Sequence, residues 1–153
     1  MKKFITAAVL IFFATAANAQ IEKPVTWAYA AKKISADTYE LRMTATVSGK
    51  WHIYSQDIPE GGAVPTSFTF DKNPLIKTDG KVLEIGKLEK VYDKNFKMNL
   101  KFYSKKVDFV QKIKLKTPVS TVAKGKITFM VCNDEKCLPP TDVTFAIKIN
   151  PKG

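Results

Sequence analysis

The sequence predicts an all-β protein, an immunoglobulin-like antiparallel β-sandwich forming a single domain, and three observations carry that expectation. Apolar residues recur with period two in one segment after another. Turn-forming residues separate those segments at intervals of about ten residues, and no segment holds a sustained helical stripe. A closed barrel is the alternative that the same pattern permits.

Residues 1–19 read as an address and not as part of the domain. Lys2 and Lys3 precede an apolar run from Ala7 to Ala14, and the run leads into Ala17-Asn18-Ala19, an A-x-A cleavage site. The run is shorter than the roughly 20 residues that a spanning helix needs. No cysteine stands at the cleavage region to take a lipid anchor. Removing 19 of the 153 residues leaves 134 for a domain over 20–153, soluble and without stable membrane insertion after cleavage.

Strands are expected near 25–34, 51–55, 66–70, 81–86, 97–103, 107–116 and 126–132. Two more are the plainest: Tyr39, Leu41, Met43, Ala45 and Val47 alternate with Glu40, Arg42, Thr44 and Thr46, and Val143, Phe145, Ile147 and Ile149 repeat the pattern. Ser48-Gly49, Pro59 to Pro65 with Gly61-Gly62, Asn73-Pro74, Asp79-Gly80 and Lys124-Gly125 read as the turns between them. Trp27 and Trp51 lie in alternating contexts and are expected to fill the core.

The formal charge is +11, of which Lys2 and Lys3 supply two, leaving +9 on the processed chain. Nucleic acid is not the expected partner, because Lys97, Lys101, Lys112, Lys114 and Lys116 are spread along strands instead of clustering with arginines and aromatics. That spread suits a solvated sheet face, and the charge can steer acidic protein partners.

Enzyme signatures are mostly missing: there is no Gly-rich phosphate loop, no G-x-S-x-G and no H-E-x-x-H. The single histidine, His52, is expected on the solvent face of a strand. A metal site would have to draw on Cys132, Cys137, His52 and Met98 or Met130, an incomplete ligand set, so neither a metal nor an organic cofactor is expected.

What remains is Cys132-Asn133-Asp134-Glu135-Lys136-Cys137-Leu138-Pro139-Pro140. Ile127, Phe129 and Val131 alternate with Thr128, Met130 and Cys132, so a strand should carry Cys132 at its end, with a polar turn beyond it and Cys137 on the loop that follows. Pro139-Pro140 delays the return strand, because proline cannot donate to a ladder. A disulfide across so short a spacing is sterically reasonable in an oxidising compartment. Closing such a loop restricts the unfolded chain by only about 2 kcal/mol in the entropy account, which argues for an exchange role over a structural one. Lys136 would favour a Cys137 thiolate, whereas Asp134 and Glu135 would oppose it.

At this segment the sequence resembles the N-terminal periplasmic domain of the DsbD family of bacterial protein-disulfide reductases, a likeness that extends through Trp51-His52-Ile53-Tyr54-Ser55 and the stretch from Tyr92 to Phe109. The resemblance implies an immunoglobulin-like domain whose cysteine pair takes electrons from a thioredoxin-like donor and passes them to periplasmic disulfide isomerases or other thiol proteins. Cys137 then matches the cysteine that forms the mixed disulfide, and Cys132 its resolving mate. Phe96 matches the aromatic tip of a cap loop, with Tyr92 as the alternative. The cysteines stand one residue closer than in the best-known members. The sequence shows no membrane-spanning part and no C-x-x-C domain after Ile149, so the donor is expected on a separate chain. A non-catalytic binding module with a structural disulfide is the rival reading.

Overall fold

The computed structural model describes residues 22–151, so the expected signal peptide over 1–19 lies outside the described residues. Eleven strands make up the described chain: β1 (Val25–Lys33), β2 (Thr38–Val47), β3 (His52–Tyr54), β4 (Ser67–Phe70), β5 (Ile76–Gly86), β6 (Glu89–Asp93), β7 (Met98–Tyr103), β8 (Lys106–Leu115), β9 (Thr121–Phe129), β10 (Val131–Cys132) and β11 (Thr141–Ile149). They form three antiparallel sheets with the orders β1-β2-β8-β5, β10-β3-β7-β6 and β11-β9-β4. Each sheet keeps two free edges, so the architecture is the expected immunoglobulin-like sandwich and not a closed barrel.

The period-two pattern explains the layering. In β2, Tyr39, Leu41, Met43, Ala45 and Val47 are all buried, and β8 brings Val107, Phe109, Ile113 and Leu115 to the same side. Facing them, β9 and β11 contribute Ala123, Ile127, Phe129, Phe145, Ile147 and Ile149. Each large side chain so buried stabilises the fold by about 1.5–3 kcal/mol. Trp27 bridges the layers, its ring 5.9 Å from Phe109 and 5.4 Å from Phe129. Trp27 and Trp51 both pack against this core while staying partly exposed.

The β10-β3-β7-β6 sheet uses both of its faces, and that property creates the site. Ile53, Tyr103 and Val131 turn into the main core. On the opposite face Tyr54, Leu100, Phe102 and Cys132 form a second cluster with Ala63, flanked by Ile58, Phe96, Met98, Met130 and Cys137. Glu84 of β5 accepts hydrogen bonds from Ser55 Oγ at 2.8 Å and Tyr103 Oη at 2.7 Å, tying this sheet to the first.

Three local expectations need correction. Asp79-Gly80 is not a turn but an irregularity within β5: the pairing with β8 shifts between Asp79 and Leu83, and Gly80 takes the positive φ (74°) that glycine tolerates there. Lys124-Gly125 likewise lies inside β9, paired with Ala146 and Phe145. A Cβ on Gly125 would stand 2.2 Å from the Thr69 carbonyl oxygen and 2.6 Å from the Phe145 ring, so this glycine marks a close approach. The strand β6 has no counterpart in the expected set; as the outer strand of its sheet it exposes Lys90, Val91 and Tyr92 in succession and carries no alternation.

Candidate redox site at the Cys132 and Cys137 hairpin

Cys132 closes a strand, as expected, but not the single strand expected over 126–132: β9 ends at Phe129, and Cys132 ends β10, which lies in another sheet, where it is bonded to Cys137. The two residues are bridge partners with Cα atoms 4.0 Å apart, the close approach of residues directly opposite in an antiparallel pair. Leu138 N donates to Val131 O at 2.9 Å and Asn133 N to Lys136 O at 2.9 Å, so the segment is a short hairpin. Its turn is held by Asn133, whose Oδ1 accepts from the main-chain amides of Glu135 (2.9 Å) and Lys136 (2.8 Å). The sulfurs differ in environment: Cys132 is 0 % exposed inside the second cluster, whereas Cys137 is only partly buried at its margin.

Lys136 does not stand free beside Cys137. Its ammonium pairs with Glu22 at 2.8 Å and lies 5.9 Å from the centre of the Trp51 ring. That cation therefore serves a contact between the turn and the start of the described chain.

The hairpin of β6 and β7 supplies a second loop to the site. Asp93 and Met98 are paired, leaving Lys94 to Lys97 as the connection, and Lys97 closes it in the left-handed conformation (φ 56°). Asp93 Oδ1 accepts from the amides of Asn95 (2.8 Å) and Phe96 (3.3 Å), which shapes the loop from within. Asn95 Nδ2 reaches the Asn133 carbonyl of the cysteine turn at 3.3 Å. Phe96 packs on the cluster that contains both cysteines, edge-on to Tyr54 with centroids 6.0 Å apart. Tyr92 is 57 % exposed and lies outside that cluster.

His52 departs from expectation. It is buried instead of solvent-facing, because both faces of its sheet are covered. Its ring stacks on Phe102 with centroids 4.1 Å apart, and Nε2 lies 3.3 Å from Tyr54 Oη and 3.8 Å from Asp93 Oδ2. Tyr54 donates its hydroxyl hydrogen to Asp93, a short contact, which leaves the phenol oxygen to accept from His52 Nε2. Burial holds the imidazole below its usual pKa, against the pull of Asp93, Asp134 and Glu89. The Tyr54 phenol is pushed up by burial and by its bond to Asp93.

Tyr54 and Asp93 carry no sequence signal of their own, since they stand 39 positions apart and that distance hides the hydrogen bond that unites them. Met98 and Met130 flank the cluster as packing groups, and no group of three or more His, Cys, Asp or Glu arranged to hold a metal occurs among the described residues. No helix long and apolar enough to cross a membrane occurs among the described residues. Chemically, a disulfide on a short hairpin, with Cys132 buried and Cys137 partly buried, leaves Cys137 as the residue of the two with any exposure to a thiolate from outside.

Comparison with known proteins gives the same fold. The N-terminal domain of DsbD from Neisseria meningitidis, solved in the reduced form, superposes with a TM-score of 0.54 at 17 % identity, covering 83 % of this chain and 86 % of that one. The N-terminal periplasmic domain of ScsB from Proteus mirabilis gives a TM-score of 0.56 at 16 % identity over 80 % of this chain, which spans 44 % of that one. No curated protein matches. Residues 19–149, nearly the whole domain, match the family described as thiol:disulfide interchange protein DsbD, N-terminal, and the chain belongs to that family.

Proposed function

We propose that this chain is a periplasmic electron relay that cycles between a dithiol and a disulfide at Cys132 and Cys137. A signal peptide over 1–19 brings it there. In this reading a thioredoxin-like protein on a separate chain reduces the pair, and a periplasmic disulfide isomerase or another oxidised thiol protein accepts the electrons. Cys137 meets the partner, Cys132 resolves the mixed disulfide, and Phe96 caps the pair.

The supporting observation is the contrast between the sulfurs: Cys132 is 0 % exposed, while Cys137 sits at the cluster margin just before Leu138 and Pro139. An incoming thiolate needs a nearly straight path to the sulfur it attacks, so access selects Cys137 whatever the two pKa values are. Proline at 139 and 140 limits the backbone freedom lost when a partner docks.

Trapping tests the assignment. Reduced Cys132→Ser should hold an oxidised thiol partner as a stable mixed disulfide on a non-reducing gel, because no second thiol is left to release it. Cys137→Ser should hold little. Equal trapping by both variants, or trapping through Cys132 alone, would reverse the roles. No trapping by either, with no exchange by the parent protein, would leave the disulfide structural.

A further inference from the structure

Resolution of a mixed disulfide requires Cys132 to lose its proton, yet no solvent reaches this residue. The buried network beside it is not used by the relay reading. His52 is the ladder partner of Cys132 in the pairing of β10 with β3. Residues directly opposite in such a pair project to the same face with Cβ atoms about 5 Å apart, which makes His52 the ionisable side chain set directly against Cys132 on that face. His52 also borders a cleft of about 330 Å³, lined by Tyr92, Asp93, Asn133 and Asp134 as well. The imidazole is thus paired with a sealed sulfur and adjoins an open cleft.

We propose that His52 accepts the proton of the Cys132 thiol in the step that resolves the mixed disulfide. This rests on the relay reading above. The Tyr54 phenol oxygen accepts from Nε2 and passes its own hydrogen to Asp93, so the lone pair of the neutral ring is on Nδ1. In the first step a Cys137 thiolate attacks the partner's disulfide: the Cys137-to-partner bond forms, the partner's S–S bond breaks, and one partner sulfur leaves as a thiolate. In the second, the Cys132 proton passes to His52 and the Cys132 thiolate attacks Cys137 Sγ. The Cys132–Cys137 bond forms, the bond to the partner breaks, and the second partner sulfur leaves with the electron pair. That thiolate takes up the proton from the imidazolium, and two electrons have moved to the partner's disulfide.

Burial opposes a charged imidazole, and the carboxylates around it offset part of that cost, so an imidazolium formed here is transient. Asp93 and Glu89 face it from β6, Asp134 faces it from the cysteine turn, and Tyr54 lies on its own strand. Lys50 and Lys94 border the same cleft, and Phe102 of β7 stacks on the ring. The three carboxylates outnumber the two ammonium groups, and only Asp93 is within 4 Å of the ring nitrogen.

The test uses the reduced full-length domain and 4,4′-dithiodipyridine, a small disulfide that releases one chromophore on capture by Cys137 and a second on resolution by Cys132. In the parent, the rate of the second release should rise with pH through the imidazole range and then level. His52→Gln should slow that release by about 100-fold, the lower range for general-base catalysis, and remove its imidazole inflection while leaving the first release unchanged. His52→Phe, which keeps a ring against Phe102, should behave likewise and serves if the glutamine variant fails to fold. A second release with the parent's rate and pH profile in a folded His52 variant overturns the proton role alone. No second release in the parent overturns the relay reading with it.

Discussion

The side-chain amide of Asn95 donates to the main-chain carbonyl of Asn133 at 3.3 Å, joining the tip of one hairpin to the turn that carries the cysteines. Phe96 is thereby held next to the pair, packed on the cluster that includes both cysteines. Phe96→Ala should therefore speed the reaction of the reduced protein with a small oxidant severalfold, whereas Tyr92→Ala should leave the rate unchanged. Stopped-flow oxidation kinetics of both variants check this, and equal rates in all three proteins would remove the cap.

Reduction should leave the fold intact. The disulfide closes a hairpin whose cysteines are five residues apart, and the main core between the sheets does not depend on it. A loop this short contributes about 2 kcal/mol in the entropy account. Urea unfolding with and without a reductant should differ by no more than that, and global unfolding on mild reduction would show a structural bond.

The buried imidazole makes a separate prediction about acid. His52 has its pKa lowered, chiefly by burial, so between that value and the unfolded value of about 6.5 the unfolded chain binds more protons. Its contribution is fully present above the unfolded value and is lost as pH falls through this window. As pH is lowered from neutrality through the unfolded value of about 6.5, the urea midpoint of the parent should drop by more than the midpoint of His52→Gln. Equal drops would place the acid sensitivity elsewhere.

Gly125→Ala should destabilise strongly, since its Cβ would meet the Thr69 carbonyl oxygen at 2.2 Å and the Phe145 ring at 2.6 Å. Overpacking of this kind costs about 1–3 kcal/mol, and contact with a backbone atom puts the expected loss at the upper end. Gly49→Ala meets nothing within 4 Å and pays only for its positive φ (61°), about 1–2 kcal/mol. Thermal or chemical unfolding of the two variants should rank them in that order.

Export predicts a defined start. Mass spectrometry of the protein recovered from the periplasm should find Gln20 as its first residue, and a retained Met1 would refute cleavage after Ala19.

The strands that bury one face against one core were readable from the sequence. Tyr39 to Val47 and Val143 to Ile149 alternate because one side of each meets the sandwich interior and the other meets water. The pattern fails where that condition fails. Glu89 to Asp93 runs along a sheet edge with little to bury, so nothing in its composition marks a strand. Gly125 resembles a turn residue in one dimension and is a packing residue in three. At the site, the cysteine hairpin is local and its chemistry follows from a few adjacent residues, whereas the environment of His52 is assembled from β3, β6 and β7. Its burial depends on a sheet covered on both faces, which no periodicity announces.

The two ends of the described chain leave from opposite poles of the molecule. Glu22 is held by Lys136 of the cysteine turn, while Pro151 accepts a hydrogen bond from Lys33 at the far end of β1. Nine residues of extended strand separate those poles by roughly 26 Å. A purification tag or immobilising tether placed ahead of Glu22 would crowd the cysteine pole and, under the proposed relay, compete with docking proteins. The same attachment after Pro151 would point that pole outward, so the orientation of the protein on a sensor surface or in a fusion is decided by which terminus carries the link.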